Sequence, residues 1–515
     1  MARRRLTTFS RFLIVLVVVG AAVFGIRYLQ NNGVLDSIAN EVDGGETSTT
    51  TTDTRRGEDV IDVAVVTWGG YAGGQYFNEG FDASERSRFY KDYGIKVKFH
   101  VLDDPDASLA AWKNGEIDVH WYTMDAFPTI IGGLSDYDPV ALWQADWSRG
   151  GDAVVVNRTI SSVADLKGKK IAVAEMTPSH SFLIYMLGAG GLTANDVEIV
   201  AQATAVDAAA AFKSQQVDAA VVWSPDDESC LRAVSGSRVL ESTKSASNII
   251  ADFFFAKRSY AEQNRDKLQK MYEGWMRGAA EINASDANKE KAIGILARGL
   301  GIPEEDARIA INNVRLTTHG DNLNFFGLNP AFQGVTGEIL YNRMSNEYQA
   351  LGFAENVPNW RRVSYPQIVQ ATTLTGAEND AEQQKAFTKV TQEEGAEKEA
   401  IATKRVSISF RTGESQLDEN AKYIIDKEFV EIAKAFGNAR IRIEGNTDNV
   451  GSKASNVRLS KLRAQSVADY LVSEHGMSPN RFIVIGNGPD QPVASNDTED
   501  GRAKNRRTDF ELVRD

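Results

Sequence analysis

Val217-Asp218-Ala219-Ala220-Val221-Val222-Trp223-Ser224-Pro225-Asp226-Asp227 begins as a valine and alanine run and stops at a tryptophan, a proline and two acids. A short strand that is apolar on both faces belongs in a sheet covered on both sides, as in parallel α/β folds. Runs of the same kind recur upstream at 60–66, 95–101, 117–121, 170–173 and 197–201, and stretches with helical spacing lie between them at 107–113, 181–187 and 205–214. Strands alternating with helices predict parallel sheets, whose ligands bind beyond the carboxyl ends of the strands.

Those ends collect unusual residues. Val66 runs into Thr67-Trp68-Gly69-Gly70-Tyr71, Val119 into His120-Trp121-Tyr122-Thr123-Met124-Asp125, and Val222 into Trp223-Ser224-Pro225-Asp226-Asp227. Thr177-Pro178-Ser179-His180-Ser181 reads as a helix start whose free amides favour an anionic group. One tryptophan alone is better explained by core packing; repetition at several strand ends reverses that for the set and points to a small-ligand site. The expected solute-binding residues are Trp68, Trp121, Tyr122, Asp125, Ser179, Trp223 and Asp226, with Asp227 and Asp252 nearby. Carboxylates beside aromatic faces suit a cation or an amine, whereas the Ser179 turn suits an anion. A zwitterion satisfies both, and each acid could equally be a rim residue or a helix cap.

A chain of 515 residues implies about three domains. Its 42% hydrophobic and 25% charged residues exclude a wholly disordered, collagen-like or multi-span membrane protein. The net charge of −13 argues against nucleic acid as a partner, since phosphate binding needs a basic face. Cys230 is the only cysteine, which excludes an intrachain disulfide, a cysteine zinc site and a lipoprotein anchor. The five histidines have no ligand spacing, so neither a metal nor a cofactor is expected.

Arg3, Arg4, Arg5 and Arg11 precede an apolar run at 12–26, with no acid before Asp36. This pattern keeps the basic end inside and exports the rest. The run of 15 residues makes about 22 Å of helix against a span of roughly 30 Å, so length alone does not separate a cleaved signal peptide from an anchor. Arg27 and Tyr28 at the far interface favour an uncleaved transmembrane helix over 1–30, with Gly20-Ala21-Ala22 as the processing site in the other case. Residues 31–58, rich in threonine, read as a polar linker. Residues 367–403, dominated by Glu, Lys, Gln and Ala, lack an apolar seam and read as a charged linker. Two ordered blocks remain, at 59–366 and 404–515.

In the C-terminal block, Val406-Ser407-Ile408-Ser409-Phe410 and Ile441-Arg442-Ile443-Glu444 alternate as half-buried strands, with a helix over 420–436 between them. A second helix runs through Leu459, Leu462, Tyr470 and Leu471, and strands follow at 482–485 and 508–513. The order β-α-β-α-β, with a long loop before the last strand, fits an α+β sandwich.

The middle block resembles the nitrate/sulfonate/taurine-type solute-binding proteins of ABC importers. The resemblance rests on Asp165-Leu166-Lys167-Gly168-Lys169-Lys170-Ile171-Ala172-Val173, on Leu187-Gly188-Ala189-Gly190-Gly191-Leu192, and on the 217–225 stretch quoted first. It implies a two-lobed type II periplasmic binding fold, with chain crossings near 145–155 and 245–255. The C-terminal block resembles the OmpA-like peptidoglycan-binding domain, through Gly445-Asn446-Thr447-Asp448-Asn449-Val450-Gly451, Asn456-Val457-Arg458-Leu459-Ser460-Lys461-Leu462-Arg463-Ala464 and Gly501-Arg502-Ala503-Lys504-Asn505-Arg506-Arg507. Asn446 departs from that family, which usually has an aromatic residue or histidine there. The resemblance implies recognition of diaminopimelate in the stem peptide, with Asp448 on its ammonium and Arg463 on its carboxylate, completed by Thr447, Asn456 and Arg506. The competing reading has Asp448 capping the helix and Arg463 pairing with it.

Three functions follow for comparison. The first is a non-enzymatic envelope receptor, anchored in the inner membrane with its bulk in the periplasm, that binds a small solute and peptidoglycan and has an ABC permease as a candidate partner. The second is a wall-anchored scaffold, similar to the stator B subunits of flagellar-type motors. Such stators need an acid in the span, and 12–26 contains none. The third, an enzyme, finds no GxSxG, no phosphate loop and no convincing acid pair.

Overall fold

The computed structural model describes residues 60–515 apart from Ser409 and Thr412. The expected anchor at 1–30 and polar linker at 31–58 lie outside the described residues. Among the described residues no helix is long and apolar enough to cross a membrane.

The first lobe begins with β1 (Val60–Val65), β2 (Lys96–Val101), β3 (Val119–Thr123) and β4 (Pro139–Ser148). The chain crosses at 149–151 into a second lobe of β5 (Asp152–Val156), β6 (Lys170–Ala174), β7 (Glu198–Gln202), β8 (Ala219–Trp223) and β9 (Arg238–Ser242), ordered β7-β6-β8-β5-β9. It returns through 243–250 to β10 (Ala251–Lys257) and, later, β11 (Val314–Leu316), which complete the first sheet as β11-β4-β10-β3-β1-β2. Both crossings overlap the segments, 145–155 and 245–255, that the resemblance implies.

The sheets are mixed rather than purely parallel. β1 pairs in parallel with β2 and β3, and β6 with β7 and β8, but β10 runs antiparallel to β3 and β4, and β5 to β8 and β9. The reason lies in the crossings: β4, β5 and β10 carry the chain between lobes and so run against their neighbours. Phe253, Phe254 and Phe255 of β10 are all fully buried, packed on both faces of the first sheet.

The C-terminal block is a four-stranded sheet of β12 (Ala400–Val406), β13 (Arg440–Asn446), β14 (Phe482–Gly488) and β15 (Thr508–Val513), ordered β12-β15-β13-β14. Only β13 and β14 pair in parallel. The strand expected at 406–410 instead ends at Val406, because β15 begins at Thr508, opposite Val406, and offers no further partner. The helix Lys453–His475 lies directly on β13; a Cβ on Gly445 would stand 2.1 Å from the carbonyl oxygen of Ser460.

The segment 367–403, expected as a charged linker, is folded onto both blocks. It contains helices Gln367–Ala371 and Gln392–Glu397 and the start of β12, and Phe387 is buried. Its charges find partners on either side: Glu382 with Arg149 at 2.6 Å and Lys385 with Asp515 at 2.9 Å. The C-terminal block in turn sits on the second crossing, where Asn248 N donates to the Ala435 carbonyl at 3.0 Å and Asn438 Nδ2 to that of Lys244 at 3.0 Å.

Candidate functional site

The carboxyl ends of β1 and β3 meet the second lobe at the first crossing and at the turn around Ser181, where the Trp68 ring lies against Gly151 and Ser181 lies near Asp125. Trp68 follows β1, and its indole Nε1 donates to Asp146 Oδ2 of β4 at 2.9 Å. The ring lies over Gly151 of the first crossing, where a Cβ would come within 2.1 Å of it, so only glycine admits this closure. Tyr71 Oη donates to Asp252 Oδ2 at 2.7 Å, and its ring lies 6.0 Å from that of Trp121. Trp121 stacks on Tyr122 at 6.1 Å.

Four acids are buried around these rings: Asp125, Asp146, Asp152 and Asp252. Burial pushes the carboxyls of Asp125 and Asp152 up to about 7. Burial also raises Asp146, with the Trp68 hydrogen bond and Arg149 pulling the other way, and it raises Asp252 well above the usual range, where Asp146 reinforces it. No histidine balances them at neutral pH, because burial lowers both His120 and His180 to about 4. His120 is a satisfied core residue, bonded to Ser108 Oγ at 2.8 Å.

The helix Pro178–Ala189 of the second lobe brings its first turn to this region. Ser179 is fully buried and its hydroxyl has no hydrogen-bond partner. The Ser181 hydroxyl, close enough to lower the Asp125 carboxyl somewhat, is bonded to Tyr348 Oη at 2.8 Å. Trp223 is in register with Asp152 and 36% exposed, at the carboxyl end of β8. Asp226 is held within its own lobe: its Oδ1 takes the Ser229 hydroxyl at 3.1 Å and lies 3.5 Å from Lys213 Nζ. It opens the helix Asp226–Ala233, whose N-terminal dipole favours an acid there. Asp146, Asp152 and Tyr71 were not expected from the sequence; the only trace of the first is an acid set in the largely apolar Val140-Ala141-Leu142-Trp143-Gln144-Ala145-Asp146-Trp147 stretch, whose meaning depends on β10.

The second site is a groove of about 990 Å³ in the C-terminal block, and Thr447, Asp448, Asn456, Arg463 and Arg506 all line it. Asp448 follows β13; its Oδ1 accepts from Val450 N at 3.0 Å and its Oδ2 from Arg506 Nη1 at 2.7 Å. Asp448 does not cap the helix Lys453–His475, a role taken by Ser452, whose side chain accepts from Ser455 N. Arg463 is not ion-paired with Asp448 either. It donates through Nε to the Glu414 carbonyl at 3.1 Å, stands 4.8 Å over the Phe410 ring, and burial lowers its pKa. Asn456 Nδ2 donates to the Val450 carbonyl at 3.0 Å, and Thr447 Oγ1 to that of Asp448 at 2.8 Å, which fixes the loop. Asn446 turns into a buried network with Asp509 and Asn487. Glu499, which binds the other arm of Arg506 at 2.8 Å, was missed because it lies in an exposed loop helix.

The C-terminal groove thus carries one fixed acid and two guanidiniums, and the region between the two α/β lobes carries four buried acids beside aromatic rings. Residues 409–506 match the model of the OmpA family, and residues 81–287 match the family described as NMT1/THI5 like. Outer membrane protein A of Bordetella avium is 41% identical over 104 residues, which are 20% of this chain and 53% of that protein. The peptidoglycan-binding protein ArfA of Mycobacterium tuberculosis is 45% identical over 90 residues, 18% of this chain and 27% of that one. The putative aliphatic sulfonates-binding protein of Escherichia coli is 34% identical over 151 residues, 29% and 45% of the respective chains. The chain thus spans only about a quarter to a half of the length of these curated relatives. Among solved structures, the periplasmic aliphatic sulphonate binding protein SsuA of Escherichia coli covers 61% of this chain and 99% of its own, at 20% identity and a TM-score of 0.48. The chain thus joins a two-lobed α/β domain, part of which matches the NMT1/THI5 like model, to a C-terminal domain that matches the OmpA model.

Proposed function

We propose that this is a non-enzymatic cell-envelope protein that binds one small solute in the interlobe cleft and holds peptidoglycan through diaminopimelate in the C-terminal groove. The convergence of Thr447, Asp448, Asn456, Arg463 and Arg506 on one groove carries the reading of the wall site. The names of the relatives, a peptidoglycan-binding protein and an aliphatic sulfonates-binding protein, support the two halves. Diaminopimelate presents an ammonium and a carboxylate on one carbon. Asp448 takes the ammonium, sharing its charge with Arg506, and Arg463 takes the carboxylate as a two-pronged donor. In the cleft, Trp68, Trp121, Tyr122 and Trp223 enclose the solute, with Asp125 and Ser179 on its polar groups. The N-terminal segment anchors the chain in the inner membrane, and an ABC permease is the partner to which the solute passes. The alternative, a wall-bound scaffold, keeps the groove and drops the solute.

Because each contact is to a charged group, Asp448→Ala and Arg463→Ala each cost on the order of 2–5 kcal/mol of binding. Both variants are expected to lose pull-down with purified peptidoglycan. Lys461→Ala, which removes an exposed side chain bonded to Gln392, keeps it. Undiminished pull-down by both groove variants refutes the wall reading. For the cleft, Trp68→Ala is expected to abolish retention of small molecules detected by mass spectrometry after denaturing the purified protein, and equal retention refutes that site.

A further inference from the structure

The cleft gathers negative charge without a fixed positive partner. Asp252 of β10 stands in register between Thr123 of β3 and Asp146 of β4, so the three side chains form a row across one face of the sheet. Asp146 is fully buried and Asp252 is 4% exposed. Like charges opposite each other in a sheet oppose folding, and burial makes this worse. Asp152 adds a third acid from across the first crossing. The bonds these acids accept come from neutral donors: Trp68 Nε1, Tyr71 Oη and Ser148 Oγ, at 2.9, 2.7 and 2.7 Å. Arg149 acts on Asp146 from a distance, but its guanidinium is bonded to Glu382 and lines the cavity against the C-terminal block.

An independent observation points to what is missing. Thr123 is 3% exposed, its hydroxyl has no partner, and by register it faces the same side as Asp252. Asp146 Oδ1 is likewise buried without a donor. Open acceptors beside the rings of Trp68, Tyr71 and Trp121 match a group that carries several N–H donors, positive charge and apolar neighbours. Among the described residues no set of three metal-ligating side chains is arranged to hold a metal ion, which favours an organic cation.

We propose that the solute of this cleft carries a positively charged amine or amidinium group, seated among Asp146, Asp152 and Asp252 with Thr123 as a further partner and the faces of Trp68 and Trp121 against the adjoining carbons. This rests on reading the cleft as the solute site and names the class of solute. An anionic group, where the solute has one, faces the Ser179 end of the helix Pro178–Ala189. The name of the sulfonates-binding relative specifies an anion; here the deepest part of the cleft selects a cation.

The test is a thermal-shift titration of the purified chain with tetramethylammonium, putrescine and agmatine as chlorides, against sodium chloride and sodium ethanesulfonate at equal ionic strength. At a tenfold excess over Kd, at least one of the three cations is expected to raise the melting temperature by on the order of 1–3 °C. Ethanesulfonate gives no rise. The shift disappears in the Asp146→Asn/Asp252→Asn double variant, which preserves side-chain shape, and persists in Asp226→Asn. A rise with ethanesulfonate alone, no rise with any of the cations, or a cation shift that survives in the double variant overturns the proposal. Mass spectrometry of molecules released from the same preparation separates the two levels. A retained anion leaves the solute site standing and refutes its charge class, whereas no retained molecule together with no shift refutes the solute site itself.

Discussion

Asp146 has no counter-charge bonded to it, and this makes its effect on folding depend on pH. Burial raises its carboxyl in the folded protein above the unfolded value, so the folded state binds the proton more tightly. Such a group contributes stability that is fully present below the unfolded pKa and is lost as pH rises through the folded one. Asp152 acts on it in the same direction and Arg149 against it, and Asp146 in turn raises Asp252. Asp146→Asn keeps an acceptor for Trp68 and removes the charge. The variant is expected to be more stable than the parent at pH 7.5, on the order of 1–3 kcal/mol, with the gain shrinking toward pH 5 where the parent carboxyl is protonated. Thermal melts of both proteins at the two pH values check the sign. The sequence marked Trp68, Trp121 and Asp125 through their places after strands, but an acid inside β4 became meaningful only when β10 set Asp252 beside it. Asp226, equally conspicuous in sequence, is bound to Lys213 and Ser229 because its helix turns it toward its own lobe.

At the scale of elements, the C-terminal groove depends on how closely the helix Lys453–His475 approaches β13. That approach sets Arg463 on the helix against Asp448 at the strand end, and glycine at 445 permits it. Gly445→Ala puts a methyl into the backbone of Ser460, costing about 1–3 kcal/mol by overpacking, and the helix must move outward to relieve it. Chemical denaturation is expected to show the loss of stability. Peptidoglycan pull-down is expected to weaken although no ligand-facing side chain has changed. The helix and strands of this block were legible from their 3.6- and 2-residue periods, and the loop motifs from their quoted residues. The end of β12 was not legible, since the alternation at 406–410 continues past the point where β15 provides a partner.

For residues 60–515 as a whole, the segment 367–403 and the C-terminal block are packed against both crossings of the two-lobed domain. Arg149 of the first crossing binds Glu382, and Ser245 and Asn248 of the second exchange backbone hydrogen bonds with Asn438 and Ala435. Arg343 adds an ion pair with Glu431 at 2.8 Å. Calorimetry of the parent is therefore expected to show one main unfolding transition. Glu431→Arg, which sets two guanidiniums face to face, combined with Asn438→Ala, is expected to split it in two. A parent that already melts in two separate steps would mean that these contacts do not couple the blocks.

By itself the sequence determined the apolar strands, the helices between them and the loop motifs whose residues line the C-terminal groove. These follow from local periodicity and from motifs whose members lie within a few dozen residues of each other. Only the tertiary structure decided the mixed direction of the sheets, the engagement of Asp448 by Arg506, the buried row of Thr123, Asp252 and Asp146, and the folding of 367–403 onto both blocks. Asp448 and Arg506 are 58 positions apart and Arg149 and Glu382 are 233 apart; strand register, desolvation and charge pairing act on distances in space that no local pattern encodes.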